Sequence, residues 1–334
     1  MQYLLRRLVL VIPVLLGVSV IVFTIMHVIP GDPVQLMLEG TGASAEQRQA
    51  MRHALGLDLP LPVQYVNYVS KLIRGDFGQS IYFKQPVMEL ILERLPATIE
   101  LTLASFILST AIALPIGLLS ALKHNTFTDY IAMTGATLGI SLPTFWIGIL
   151  LIMLVAVNLG WLPGFGRIDY GVHPQRITGF LLIDSLLTRN IPALKNTLAH
   201  LALPVLTLGI GTATFTTRFV RSSVLEVMGQ DYVVVARAKG LHERLVIGRH
   251  VLRNALIPVL TLIGLRMGGL LGGAVVTETI FAWPGMGRLV MQAIYGRDFV
   301  LVQGVVLFFA LIRVTINILT DIVYVWVDPR ISHI

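Results

Sequence analysis

Long apolar stretches separated by polar segments make up the pattern along this chain. Six of the stretches reach the length of about 20 residues that a helix needs to cross a hydrocarbon core. They are too long and too uninterrupted for barrel strands, which alternate at period two over about ten residues. Because a backbone in lipid must satisfy its own hydrogen bonds, the pattern predicts an all-α fold, a polytopic transmembrane helical bundle of about six spans. The predicted spans are 8–29, 98–122, 131–159, 198–220, 255–277 and 299–327.

The polar segments divide the chain into two predicted parts. Residues 1–97 are interpreted as an N-terminal anchor helix plus an extracytoplasmic segment, and 98–330 as a transmembrane core with a cytoplasmic loop near 221–253. The first span follows the basic pair Arg6 and Arg7, as in a signal peptide, but its apolar run is too long and no A-x-A site follows, so we expect it to be retained. Pro143 and Pro204 are predicted to kink their helices.

The composition supports a lipid-embedded chain. Of the 334 residues, 55% are hydrophobic and only 13% are charged, and the mean hydropathy is +0.80. Soluble domains carry about 25% charged residues, so an ordinary cytosolic enzyme and a disordered protein are both excluded. The chain has no cysteine, which excludes disulfides, thiolate metal sites and cysteine nucleophiles.

Positive charge sets the predicted orientation. The net charge is +7, and seven Lys and Arg residues lie densely between Arg218 and Arg253. Dense positive charge near span ends marks the cytoplasmic side. We therefore expect this loop and both termini in the cytoplasm of a multi-pass protein. Arg266 and Arg313 are the two basic residues left inside predicted spans.

Motifs for catalysis and for nucleotide binding are missing from the sequence. No G-x-x-x-x-G-K-[ST] loop is present, so any ATP-driven work needs a partner that supplies the energy. His242 and Glu243 begin an H-E-x-x-H pattern, but Val246 stands where the second ligand belongs, and we expect no metal site. No nucleophile and base are paired as an intramembrane hydrolase requires.

The predicted cytoplasmic loop carries the strongest local signal. A short helix beginning near Asp231 and ending at Gly240, followed by a second helical piece over 243–253, makes a compact helix–glycine–helix unit. A solvated basic loop that only holds orientation is the alternative interpretation.

This loop resembles the EAA loop of binding-protein-dependent ABC import permeases. The likeness is closest to the dipeptide, oligopeptide and nickel subgroup, and the order of motifs is similar to the first permease subunit of dipeptide systems. Val234 stands where the general pattern has a glutamate. The loop residues that carry the resemblance are Asp231, Tyr232, Ala236, Arg237, Ala238, Lys239, Gly240, Leu241, Arg253, Asn254, Ala255 and Pro258. Elsewhere it rests on Pro30-Gly31-Asp32-Pro33, Gly75-Asp76-Phe77-Gly78, Ser141-Leu142-Pro143, Trp283-Pro284-Gly285 and Asp328-Pro329-Arg330.

The resemblance implies a MetI-like ABC permease fold and the membrane subunit of an ATP-driven importer of di- or oligopeptides. Implied partners are a second homologous permease, two ABC ATPase subunits that bind ATP and Mg, an extracytoplasmic solute-binding protein and membrane lipid, with no nucleic acid. The chain itself would hold no cofactor and reside in the bacterial cytoplasmic (inner) membrane. Nickel chelates, glutathione or antimicrobial peptides are alternative cargoes, and a proton-coupled secondary transporter is a more remote alternative.

The resemblance also implies roles in ATPase coupling. Ala236 and Gly240 would permit close docking of an ATPase, and Arg237 and Lys239 would offer hydrogen-bond donors to it. The full set of implied coupling residues is Asp231, Tyr232, Ala236, Arg237, Ala238, Lys239, Gly240 and Leu241.

Polar residues and glycines inside or beside the spans are candidates for the translocation path. Small residues at G-x-x-x-G spacing let helices approach closely, either within the chain or against the partner permease. Buried charges either pair in a structural network or line a water-filled path. The packing candidates are Gly264, Gly268, Gly269, Gly272 and Gly273; the pathway or gate candidates are Arg266, Glu278, Trp283, Arg313, Asn317 and Asp321.

Overall fold

The computed structural model describes residues 2–28, 34–35, 38, 44–54 and 56–327, and this part of the chain is helical. The β-structure found in these described residues is one isolated antiparallel bridge between Gln79 and Pro86. The helices are α1 (Gln2–Val28), α2 (Ala45–Ala54), α3 (Leu61–Ile73), α4 (Val87–Leu122), α5 (Phe127–Ser141), α6 (Thr144–Leu151), π1 (Ile152–Asn158), α7 (Leu181–Leu187), α8 (Ile191–Met228), α9 (Asp231–Ala238), α10 (Glu243–Leu245), π2 (Val246–Leu252), α11 (Arg253–Ile280), α12 (Met286–Tyr295) and α13 (Phe299–Val327).

Four helices of the described residues are long and apolar enough to cross a membrane. They are α4, α8, the continuous run Glu243–Ile280 formed by α10, π2 and α11, and the stretch Phe299–Thr320 of α13. The predicted first span lies in α1, whose apolar stretch among these residues, Leu10–Ile25, is shorter. The described residues therefore contain four candidate spans, or five if α5 and α6–π1 together form one, where the sequence predicted about six. The segments 30–33 and 328–330 of the resemblance lie outside the described residues.

The prediction of one continuous span over 131–159 is wrong. Helices α5 and α6–π1 meet at an angle of 100° and form either a broken span or a re-entrant loop. Leu142 is extended (φ −90°, ψ 127°) and Pro143 precedes the first residue of α6. Proline disfavours the helical conformation in the residue before it and has no N–H to donate, so the predicted kink at Pro143 is a complete break. In contrast, α8 runs through Pro204 without interruption.

The chain divides into two compact units, of which the first comprises 1–95 and 289–314. Within this unit, α1 and α3 meet through a 2.8 Å hydrogen bond between the Ser19 and Tyr65 hydroxyls. Asp298, fully buried before α13, accepts hydrogen bonds from Ser80 Oγ at 2.5 Å and from the Tyr82 N–H at 3.0 Å. These bonds hold the loop before α4 against the start of α13.

The second unit comprises 96–288 and 315–334 and is organised around α8. Helix α8 packs along α11 and also contacts α5, α6 and α7. A Cβ added to Gly117 of α4 would stand 2.7 Å from the Thr217 carbonyl oxygen and from Val220 Cβ, so α4 and α8 approach backbone to backbone. Close approach through a glycine is a common way for membrane helices to pack.

Candidate coupling surface and membrane cavities

The predicted loop helix is present as α9, and Gly240 ends it. Gly240 has φ +77°, its N–H donates to Arg237 O at 2.9 Å, and the Leu241 N–H donates to Ala236 O at 3.4 Å. This pair of bonds is the Schellman motif, in which glycine adopts the left-handed conformation at low cost. The helix–glycine–helix unit predicted from the sequence is therefore confirmed. Its second piece begins as α10 and continues through π2 into α11.

One face of α9 packs into the chain. Val233 is fully buried and Ala236 is 5% exposed, and both belong to an apolar cluster with Val220 of α8, Val246 of π2 and Val259 of α11. Ala236 therefore lies inside the chain and not on the outer face of the loop. Because apolar packing joins α9 to two spans at once, we expect the three helices to move together.

Polar contacts reinforce this attachment of α9. Asn254 Nδ2 donates to the Tyr232 hydroxyl at 3.0 Å, which connects the first turn of α9 to the first turn of α11. Ser223 Oγ donates to Ala255 O at 2.9 Å and connects α8 to the same turn. Arg237 is engaged within the loop, since its Nη2 lies 2.7 Å from Glu243 Oε1. The hydrogen bond from Glu243 raises the pKa of Arg237 above its ordinary value.

The other face of the loop is apolar and exposed. Lys239 and Gly240 are exposed beside it. An exposed cluster of large apolar side chains on a soluble-side loop marks an interaction site. We call this set the loop surface: Tyr232 (42% exposed), Val234 (55%), Val235 (50%), Leu241 (37%) and Leu245 (46%).

A cavity of about 610 Å³ lies beside the end of α8 that leads to α9. A bidentate ion pair forms part of its wall: Arg221 Nε and Nη2 lie 2.7 and 2.8 Å from the two carboxylate oxygens of Asp129, which is 3% exposed. Ser120 also hydrogen-bonds to Asp129. The pair holds the start of α5 against α8. Arg218, which also lines the cavity, has no hydrogen bond or ion pair among the described residues.

A second cavity, of about 330 Å³, contains Arg266. The guanidinium carbon of Arg266 lies 3.7 Å from the centroid of the Phe215 ring. An arginine at the centre of a span costs about 2.5–3.5 kcal/mol on insertion scales, and a desolvated cation–π contact returns about 2 kcal/mol. Phe215 lines both cavities, so it forms a wall between them.

Glu278 and Trp283 are both fully buried and bonded within the chain. The Glu278 carboxylate accepts from Thr98 Oγ1 at 2.7 Å, from the Gly287 N–H at 2.7 Å and from the Arg288 N–H at 3.1 Å. Trp283 Nε1 donates to Ala97 O at 2.9 Å. These bonds join the start of α4, the end of α11 and the start of α12. We call this arrangement the glutamate clamp.

An ion pair that the sequence did not reveal joins Glu100, on the same helix as Thr98, to Arg167 in the loop after π1. Arg167 Nη2 and Nε lie 2.5 and 3.1 Å from Glu100 Oε2, and the two side chains are 9% and 5% exposed. The Leu182 N–H donates to the other oxygen of Glu100 at 2.8 Å. Burial lowers the pKa of Arg167, an effect that Glu100 opposes.

Asp184 organises the loop before α8. Its carboxylate accepts from the N–H groups of Ile177, Thr178 and Gly179 and from the Thr178 hydroxyl, at 2.7–3.2 Å. Burial works to raise the pKa of Asp184, but these hydrogen bonds outweigh it, and the pKa is lowered below its ordinary value.

The predicted polar residues of α13 form no network among the side chains that the structure describes. Arg313 is exposed on α13 and Asn317 is half-buried one turn later, and neither side chain has a hydrogen bond among the described residues. The side chain of Asp321 lies outside the described residues. The predicted polar network along this helix therefore stays a prediction.

The glycines of α11 fall into two groups. A Cβ at Gly264 would collide with Thr320, and one at Gly273 would stand 2.9 Å from Leu208 Cδ1, so both serve packing within the chain. Added Cβ atoms at Gly269 and Gly272 would meet open space. Gly268 is buried in the same helix.

Sequence reasoning missed Phe215, Asp129 and Arg167 as members of these sites. Asp129 and Arg167 are charged residues beside apolar segments, and that position was a usable signal. Nothing in the sequence distinguishes Phe215 from the other aromatic residues of an apolar helix.

Comparison with known structures identifies the fold. The chain is similar to the permease fold in the inward-facing MetNI methionine ABC transporter, with a TM-score of 0.54 and 17% identity over 72% of this chain and 97% of that one. At that identity the likeness concerns the fold alone. It confirms the predicted MetI-like helical bundle.

Sequence comparison then gives the family. Residues 113–333 match the model of the binding-protein-dependent transport system inner membrane component, and 1–102 match that of its N-terminal region. The chain belongs to this family of ABC permeases, and it is a transport component rather than an enzyme. It is 43% identical to the dipeptide transport system permease protein DppB of Escherichia coli (strain K12), over 100% of this chain and 99% of that protein. It is 39% identical to the glutathione transport system permease protein GsiC of Salmonella choleraesuis (strain SC-B67), with the same coverage.

Proposed function

We propose that this chain is one of two permease subunits of an ATP-driven importer that carries dipeptides and short oligopeptides across the bacterial inner membrane. A solute-binding protein delivers the peptide on the outer side. Two ATPase subunits bind ATP and Mg on the inner side, while this chain holds no cofactor. The likeness to DppB over the full length of both proteins supports the dipeptide class of substrate.

The loop surface is the part of the chain that receives an ATPase subunit. The observation that carries this role is the contrast between its two faces: Val233 and Ala236 are buried against two spans, whereas Val234 and Val235 are half exposed. A displacement of the ATPase is thereby passed to α8 and α11 together, and the bundle switches between inward- and outward-facing states. In this orientation the loop and both termini are cytoplasmic.

A secondary transporter acting alone is less well supported. Proton coupling uses carboxylates that can exchange protons with a path near the middle of the membrane. Glu100 and Glu278 are instead each held by several donors among the described residues. Glutathione is the alternative cargo that a relative's name supports.

The first experiment is purification of the tagged chain from native membranes in mild detergent, with identification of the proteins that accompany it. We expect a second permease and ATPase subunits, and reconstitution of that complex with the binding protein should give ATP-dependent uptake of dialanine. A chain that purifies alone and transports without ATP would overturn the proposal. Preferred uptake of glutathione would replace dipeptides as the cargo.

The role of the loop surface is tested by two variants, each of which replaces one exposed valine with aspartate: one valine lies on the loop surface and the other lies elsewhere as a control. Val235→Asp introduces a carboxylate into the loop surface and is expected to lose ATPase subunits from the purified complex. Val66→Asp on α3 is the control, because Val66 is 64% exposed and Val235 is 50% exposed. Retention of the ATPase by both variants would show that the loop surface is not the docking site.

A further inference from the structure

The cavity around Arg266 is lined by one charged side chain and otherwise by uncharged residues. Its other polar side chains are the hydroxyls of Thr144 and Thr212, and Gly211 and Gly269 leave space where side chains would otherwise stand. Its volume of about 330 Å³ is at the lower end of the range that ligand sites occupy. A small ligand with one negative charge suits this chemistry.

Arg266 lies in this cavity without a hydrogen-bonded partner. No hydrogen bond and no ion pair joins it to another described residue, and its close contact is the face of Phe215. A guanidinium has five N–H donors, and a ring face satisfies none of them fully. The charge is thus held near the middle of α11 with its donors available. In contrast, Arg221 and Arg167 of the same unit are each paired with a carboxylate, that of Asp129 and that of Glu100.

We propose that this cavity is a substrate subsite within the membrane, in which Arg266 binds the terminal carboxylate of the transported peptide. The inference rests on the proposed function, because it assumes a peptide cargo. The planar fork of arginine matches a carboxylate in bidentate geometry. The glycines leave room for variable peptide side chains, so the subsite recognises the carboxylate that all peptides share.

Phe215 occupies the position of the ligand when the subsite is empty. Its ring covers the guanidinium and also lines the wider cavity next to Arg218. A carboxylate on Arg266 replaces the cation–π contact with charge-assisted hydrogen bonds, which frees the ring to move. Because Phe215 is the wall shared by the two cavities, its movement opens a route from the subsite toward the end of α8 that leads to the loop.

The test measures peptide binding to the membrane complex in the absence of the solute-binding protein. The permease–ATPase complex is placed in nanodiscs, and binding of radiolabelled dialanine is measured by equilibrium dialysis, with dialaninamide as a competitor that lacks the carboxylate. We expect dialanine to bind about tenfold or more tightly than dialaninamide. Arg266→Gln should weaken dialanine by about the same factor, and Arg266→Lys by less, because lysine keeps the charge without the fork.

Lys195→Gln is the control for lost charge, because Lys195 is exposed on the first turns of α8, outside the cavity. It should bind dialanine as the wild-type chain does. The inference is wrong if the wild-type complex shows no dialanine binding, if the amide competes equally, or if Arg266→Gln binds as wild type does.

A separate uptake measurement distinguishes failure of the subsite from failure of the function. ATP-driven uptake of dialanine by the wild-type complex with its binding protein, together with any of these negative results, would refute the subsite and leave the importer standing. Absence of uptake by the wild-type complex would refute both.

Discussion

Removal of Arg167 should destabilise the chain more than removal of any exposed charge. In Arg167→Gln, the Glu100 carboxylate stays 5% exposed but loses both guanidinium bonds and keeps the Leu182 N–H. Leaving one member of a buried ion pair unpaired costs about 3–5 kcal/mol. The Gly179 carbonyl also loses its 3.0 Å bond from Arg167 Nη2.

The double variant Glu100→Gln/Arg167→Gln separates the cost of an unpaired charge from the value of the pair. With both charges gone, no buried ion lacks a partner, and replacing a whole buried pair is often close to neutral. We therefore expect the double variant to be more stable than Arg167→Gln alone. With the single variant Glu100→Gln measured as well, the departure of the double variant from the sum of the two single losses gives the coupling energy of the pair.

The assay is the thermal unfolding midpoint of the purified chain in detergent. At about 1.4 °C per kcal/mol for a chain of 334 residues, Arg167→Gln should lower Tm by about 4 °C or more, and the double variant should recover part of that loss. Arg176→Gln is the control, since Arg176 is an exposed residue of the same loop. The reasoning is refuted if Arg167→Gln is no worse than Arg176→Gln, or if the two single losses simply add.

Three further expectations concern other parts of the second unit. Glu278→Gln should cost about 2 kcal/mol and lower Tm by about 3 °C, since an amide cannot accept from all three donors of the glutamate clamp; a change no larger than that of exposed Glu226→Gln would contradict this. Gly117→Ala should cost about 1–3 kcal/mol, because the added Cβ would stand 2.7 Å from the Thr217 backbone carbonyl oxygen, whereas Gly272→Ala, which faces open space inside a helix, should be neutral or stabilising in the isolated chain; equal Tm values would contradict it. Folding lowers the pKa of Asp184 below its ordinary value of 3.8. The ionised carboxylate therefore stabilises the folded loop above pH 3.8, and this stabilisation is lost as the pH falls through the lower pKa of the folded state. The rate of backbone amide hydrogen exchange in segment 177–187, corrected for the intrinsic effect of pH, should therefore rise in acid. The variant Asp184→Asn should show fast exchange already at pH 7. Protection in that variant equal to wild type would contradict the role given to Asp184.

Features with a local cause were predictable from the sequence. Gly240 ends its helix because one residue must adopt a left-handed conformation, and Pro143 ends another because its own ring excludes the preceding residue from the helix. Each needs only its neighbours along the chain. The location of the apolar segments was predictable for the same reason, because hydrophobicity is a local quantity, but the number of candidate spans was overestimated.

Features that join distant segments were not predictable. Thr98 and Glu278 lie 180 positions apart, and Arg167 and Glu100 lie 67 apart. The sequence can indicate that a buried carboxylate needs hydrogen-bond donors, but it does not indicate which residues supply them. The angle of 100° between α5 and α6 was missed because a proline shows where a helix breaks and not how sharply the chain turns there.

The glutamate clamp limits how members of this family can recombine. The N-terminal family region ends at residue 102, so Ala97 and Thr98 belong to it, while Glu278 and Trp283 belong to the region that starts at 113. An exchange of the first region between two homologues would cut through bonds that the clamp makes across that boundary. A functional chimera therefore needs its crossover before Pro96, or else a matched set of clamp residues from a single parent.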